Sequence, residues 1–150
     1  MALLDEVANT LAAPAAGDLL YVGEAIAGPA YQDGKIPVEV LLGVAPGRSF
    51  SSATAPALTD VGSILLHPSA DTTARTVTIP ANASVAFPVF SCITIVNQNG
   101  AGDLTIAITS DTLRLAGAGT TGSRTLAANG IATLIKLTST EWIISGVGLT

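Results

Sequence analysis

The sequence predicts an all-β fold: a compact antiparallel β-sandwich or barrel-like module, with a short N-terminal helix and an extended arm ahead of it. Three observations lead there. From residue 57 onward, short runs rich in Val, Ile, Thr and aromatics recur at roughly ten-residue intervals, parted by Gly, Asn, Pro or Ser. Several runs, such as Thr76-Val77-Thr78-Ile79 and Leu104-Thr105-Ile106-Ala107-Ile108-Thr109, alternate apolar and hydroxyl residues, the period of a strand with one face buried. Charge is scarce, at 11% of 150 residues, while 49% are apolar. Soluble domains carry about 25% charge, so part of this surface is expected to face other protein.

The N-terminal quarter differs from the rest. Residues 1–40 hold Asp5, Glu6, Asp18, Glu24, Asp33 and Glu39 against Lys35 alone, whereas acids and bases balance over 41–150. Leu3, Leu4, Val7 and Leu11 fall on one stripe of a short helix that Pro14 stops, with Asp5 and Glu6 in the first turns where the helix dipole favours them. So short a helix is marginal alone and needs a surface, which makes Leu3, Leu4, Val7 and Leu11 the candidate docking residues. Residues 18–22 predict a strand, and Asp33-Gly34 a turn into a second strand that Pro37 confines to an edge or an end. The Pro/Gly/Ser/Thr-rich stretch 46–56 reads as a linker. The expected organisation is an acidic anchoring arm over 1–45, a linker over 46–56 and a β module over 57–150.

Within the module, strands are expected at 61–66, 76–79, 85–90, 92–97, 104–108, 112–115, 131–137 and 142–145. Asn99-Gly100-Ala101-Gly102 and Asn129-Gly130 have the residues of hairpin connections, and Thr138-Ser139-Thr140 separates the two strands of a closing hairpin. Ile131, Leu134, Trp142 and Ile144 are the candidates for core or subunit seam. Residues 116–122, Ala-Gly-Ala-Gly-Thr-Thr-Gly, offer no anchoring side chain and predict an exposed loop or one ordered by a neighbouring subunit.

The excluded functions are as informative. Six cations in a chain of net charge −5 cannot track nucleic-acid phosphates. The longest uncharged run, between Arg75 and Asp103, is broken by Pro80, Pro88 and several Asn, so no membrane-spanning helix is expected. The opening Met-Ala-Leu-Leu-Asp-Glu lacks the basic start of a signal peptide, and the single Cys92 allows no internal disulfide. His67 has no second His for a metal site and, beside Pro68, reads as a locally bonded turn residue. Cys92 reads as a packed apolar residue, with no basic neighbour to activate it. Asp103 and Asp111 flank one strand like a glycosidase pair, but each adjoins a turn residue where Asp is ordinary. The Gly-rich 116–122 segment lacks the Lys-Ser/Thr ending of a phosphate loop. No catalytic, cofactor or metal residue is assigned, and an enzyme is not expected.

A further likeness lies in an ordered series of short motifs. These are Leu58-Thr59-Asp60-Val61-Gly62, Arg75-Thr76-Val77-Thr78-Ile79-Pro80, Phe87-Pro88-Val89, Gly100-Ala101-Gly102, Ala132-Thr133-Leu134-Ile135-Lys136 and Glu141-Trp142-Ile143-Ile144-Ser145-Gly146. Over residues 57–148 the chain resembles a β module of tailed-bacteriophage tail-fibre and virion-surface proteins. Residues 14–22 and 35–38 resemble the segment that often precedes it. The chain departs from the pattern at Phe90-Ser91, where the module has Gly-Thr. The resemblance implies a virion structural protein, a homotrimer without cofactor, assembled in the host cytoplasm. The compact length suits a capsid decoration (cement) protein that binds the major capsid protein, or another virion protein, through its N-terminal arm. The alternative is a tail-fibre or receptor-binding module touching host glycans through 98–102 and 116–122. A glycan-cleaving enzyme and a cellular adhesin or pilin-like subunit rank behind these.

Overall fold

The computed structural model describes strands at 19–23 and 33–37 and the continuous stretch 45–150, and the chain forms two units, Met1–Ala45 and Pro46–Thr150. In the first unit, β1 (Leu19–Gly23) pairs antiparallel with β2 (Asp33–Pro37), Tyr21 opposite Lys35. Pro37 ends β2, a strand-end position of the kind expected for a residue without an N–H. Gly34 lies opposite Val22 inside the pair, so the expected Asp33-Gly34 turn is strand instead. The expected N-terminal helix, with Leu3, Leu4, Val7 and Leu11, lies outside the described residues.

The second unit is all β apart from one 3-10 turn at Leu58–Asp60. Its eight strands are β3 (Gly47–Ser49), β4 (Ile64–His67), β5 (Arg75–Ile79), β6 (Cys92–Asn97), β7 (Leu104–Ile108), β8 (Thr112–Leu115), β9 (Arg124–Thr138) and β10 (Glu141–Leu149). The expected antiparallel pairing is only half of the arrangement. β3, β4 and β6 run parallel as neighbours, and so do β5 and β7, with Thr54 bridging to Val77 in the same sense. The chain therefore lays down successive coils, each adding one segment to each of two parallel stacks. The stretch 46–56, expected to be a linker, is the first of these coils: it carries β3 and Thr54, and Phe50 within it is buried.

β9 closes the last coil. Its start pairs antiparallel with β7 (Leu126 opposite Leu104), and its later part pairs antiparallel with β6 (Ile131 opposite Val96). One strand serves both partners because it bends between them at Asn129, whose φ is 62°. Asn is among the few residues with a side chain that visit this left-handed region readily. Asn129-Gly130 is thus a bend inside one strand and not the expected hairpin. β10 returns along β9 across the expected Thr138-Ser139-Thr140 turn, and β8 adds parallel to β10. β6 and β7 do not pair with each other, so Asn99-Gly100-Ala101-Gly102 forms a corner of the coil. Residues 85–90 make no strand: Pro88 has no N–H to donate, and Phe90 has φ 71°.

One core fills the unit. Leu65, Ile93 and Ile95 from one stack meet Val77, Ile79, Leu104 and Ile106 from the other, joined by Leu126, Leu134, Trp142, Ile144 and Leu113. Alternation along β6 explains the choice: Ile93 and Ile95 point in while Cys92, Thr94 and Val96 lie on the other face. Leu134, Trp142 and Ile144, expected in core or seam, are core; Ile131 is 46% exposed on the outer face.

The bend makes a direct prediction. Asn129→Gly should leave the urea midpoint nearly unchanged, whereas Asn129→Val should cost about 1–2 kcal/mol, because a β-branched residue is strained at positive φ.

Candidate functional site

The polar residues that invite a catalytic reading are built into the corners of the coil. His67 at the end of β4 stands opposite Asn97 at the end of β6, and both are buried. The Asn97 amide donates to the carbonyls of Gly102 and Leu126, each at 3.0 Å. Its oxygen therefore faces His67 Nδ1, 2.9 Å away, which must donate. His67 Nε2 lies 3.1 Å from Asp71 Oδ2. Arg75 donates to the same carboxylate from Nε at 2.8 Å and from Nη2 at 3.2 Å. Arg75 first, and His67 after it, hold the Asp71 carboxyl well below the ordinary carboxylate range.

This cluster joins neighbouring coils by main chain as well. Gln98 N–H donates to the His67 carbonyl, Ser69 N–H to the Gln98 side chain, and Gly102 N–H to the Asp71 carbonyl. A Cβ on Gly102 would overlap the Thr73 backbone, so only glycine permits this approach. Phe50 stacks on the His67 ring at 5.5 Å. His67 is thus only half the locally bonded turn residue expected: Nε2 meets Asp71 four residues on, but Nδ1 reaches Asn97, 30 residues away, and joins two coils. Sequence reading missed this because Asn97 lies in an apolar strand and betrays no pairing by spacing.

A second cluster lies under the return strand. Lys136 is fully buried, its Nζ 3.2 Å from Asp111 Oδ2 and 5.0 Å from the centre of the Trp142 ring. Asp111 also accepts from the Asn82 N–H at 3.1 Å. Trp142 meets Phe87 edge-on at 5.3 Å. Its indole N–H has no acceptor, and the ring instead presents its face to the ammonium, an attraction of about 0.5–2 kcal/mol. Asp111 is thereby committed to Lys136, while Asp103 lies exposed at the far end of β7, so the two do not form a catalytic pair.

Most of the remaining charges are also committed. Arg48 grips Asp60 with Nε at 2.8 Å and Nη2 at 3.0 Å, and Arg48 is the main cause that lowers the Asp60 pKa. Arg114 pairs with Glu141 at 2.6 Å and donates to the Gly119 carbonyl. Arg124 donates to the Thr120 carbonyl at 2.6 Å. Segment 116–122 is accordingly the exposed loop that was one of the two expectations, held by two arginines of its own chain. Of the ten charged residues of Pro46–Thr150, eight sit in the pairs Arg48–Asp60, Asp71–Arg75, Asp111–Lys136 and Arg114–Glu141. No group of three or more metal-ligating side chains occurs among the described residues.

One face of the unit carries no charge and is largely apolar. Register places Leu66, Val96, Ile131 and Val147 in one outward row across β4, β6, β9 and β10. The next row is Ile64, Thr94, Thr133 and Ser145; the one beyond is Cys92, Ile135 and Ile143. Among these eleven residues there is no charge. Phe90, whose N–H donates to the Lys136 carbonyl beside this face, is 78% exposed. It holds the left-handed conformation at a cost of roughly 1–2 kcal/mol to a non-glycine residue.

Comparison of the chain with family models, with curated proteins and with solved structures finds no match.

Two measurements test this assignment of the charges. Asp111→Ala leaves the Lys136 ammonium buried and unpaired and should cost about 3–5 kcal/mol in denaturant titrations, with much of that loss recovered in Asp111→Ala/Lys136→Met. The lowered carboxyls of Asp60 and Asp71 stabilise the fold fully above the unfolded value of about 3.9 and progressively less as pH falls below it. Asp60→Asn and Asp71→Asn should therefore flatten the acid side of the stability–pH curve.

Proposed function

We propose that this chain is a structural subunit of a tailed-bacteriophage virion, a homotrimeric capsid decoration protein that binds the outer shell through its N-terminal arm and stiffens it. The observation that carries the reading is the division of labour in Pro46–Thr150: eight of ten charges are spent in internal pairs, while an uncharged four-strand face is left exposed. A surface of that kind suits permanent burial against protein, since apolar area gains on contact and no charge must be desolvated. The motif series over residues 57–148 supports the same reading. In it, the two parallel stacks act as the faces of a sandwich-like body, and Leu3, Leu4, Val7 and Leu11 dock a short helix on the shell. Three arms on one trimer bind with an avidity that one arm lacks.

The test uses shells of a phage that assembles without this chain. Added full-length protein should co-sediment with them saturably and raise the temperature at which they disrupt. Protein lacking residues 1–45 should remain folded yet fail to bind. Binding unaffected by that deletion would overturn the role of the arm. Failure to bind shells, with saturable binding to host cells, would favour the attachment module instead.

A further inference from the structure

We infer that the outer face of β4, β6, β9 and β10 is where copies of this chain meet, around a rotation axis that runs along the strands. The inference rests on the reading of the chain as a self-associating subunit and assigns that association to a surface and a geometry. Charge identifies the occupant first. The face is uncharged over its three rows, and the nearest ion pair, Arg114–Glu141, lies at its rim with both charges satisfied. An occupant must be uncharged over the same area, or it would bury an unpaired charge. A second copy of the face meets that condition.

The pattern of rows gives the geometry. An apolar row (Leu66, Val96, Ile131, Val147) and another (Cys92, Ile135, Ile143) flank a middle row of Ile64, Thr94, Thr133 and Ser145. Rotation about an axis parallel to the strands keeps every row at its own height. Copies so related set apolar rows against apolar rows, and bring the hydroxyls of Thr94, Thr133 and Ser145 level with each other, where each can donate and accept. Any closed ring satisfies this matching, and three copies is the number the proposed function expects.

Phe90 supplies an independent pointer. At φ 71° it holds a backbone conformation that favours glycine, and it is 78% exposed. A strained, solvent-facing aromatic has no reason in the isolated subunit. As a rigid anchor buried by a neighbouring copy it does, since aromatics dominate the energetics of interfaces.

The test is sedimentation of the full chain with no shell present. Wild type should form a closed oligomer at micromolar concentration. Ile131→Asp and Val147→Asp should each dissociate it, while Thr105→Asp, on the exposed side of β7, should not. Near-ultraviolet circular dichroism of buried Trp142 reports whether each variant is folded. Val147 is 74% exposed near the end of β10, so its variant remains readable if Ile131→Asp fails to fold. Phe90→Gly should weaken association at least tenfold and leave the dissociated subunit's melting temperature equal or higher; a lowered one with unchanged association would make Phe90 a folding residue and remove it from the interface. A monomeric wild type, or an oligomer indifferent to both Asp variants, overturns the inference. If that oligomer still binds shells, the proposed function stands without this face; if the wild type is monomeric and does not bind them, both fall.

Discussion

The architecture depends on how the carboxamide of Asn97 is satisfied. At the corner of the last coil the chain turns from one parallel stack to the other, and its main-chain groups cannot complete a ladder there. Asn97 reaches the Gly102 carbonyl within its own coil and the Leu126 carbonyl on the closing strand, while its oxygen accepts a hydrogen bond from His67 Nδ1 of the coil before. One buried side chain thereby ties together two backbone carbonyls and the His67 ring, the latter and Leu126 about 30 residues away along the chain. Buried polar groups of this kind are costly when unpaired and specific when fully paired. The bend of β9 at Asn129 then lets a single strand cover both stacks.

The same economy governs charge. A fold with so few ionisable residues uses them as fasteners: Arg48 and Asp60 hold the first coil to the 3-10 turn, Arg75 and Asp71 hold a corner, and Lys136 and Asp111 lie beneath the return strand. Each pair links elements that apolar packing alone would align only loosely. The consequence for Pro46–Thr150 is a surface with little electrostatic character, and recognition by such a surface rests on shape, apolar area and hydroxyl matching. That is the physical link between the interior and the proposed role in a larger assembly.

Much of the secondary structure was legible in the sequence, because strand period and turn residues are local. β6, β7 and β8 fall where alternation places them, and the β9–β10 hairpin follows its Thr-Ser-Thr turn. Partnership was not legible. Parallel and antiparallel strands share the same alternation, so the coiled stacking of β3, β4 and β6 left no trace in spacing. Asn129-Gly130 and Asn99-Gly100 have hairpin chemistry, yet the first bends a strand and the second rounds a corner; left-handed backbone is needed in all three situations. The roles of His67, Asp111 and Lys136 were hidden for a different reason. Each depends on a partner brought close only by the fold, 25 to 30 residues away along the chain. Of the seam candidates, Ile131 alone faces outward.

The stacked coils also bear on how such a body tolerates change in length. β3, β4 and β6 begin at residues 47, 64 and 92, so successive turns of the chain differ in size while their ladders remain in step. The surplus is taken up in the connections. Adding or removing one whole turn would preserve the closing pair β9–β10 and merely make the stack taller or shorter, as in other linear repeat folds. Height is therefore the dimension in which this architecture is free to evolve.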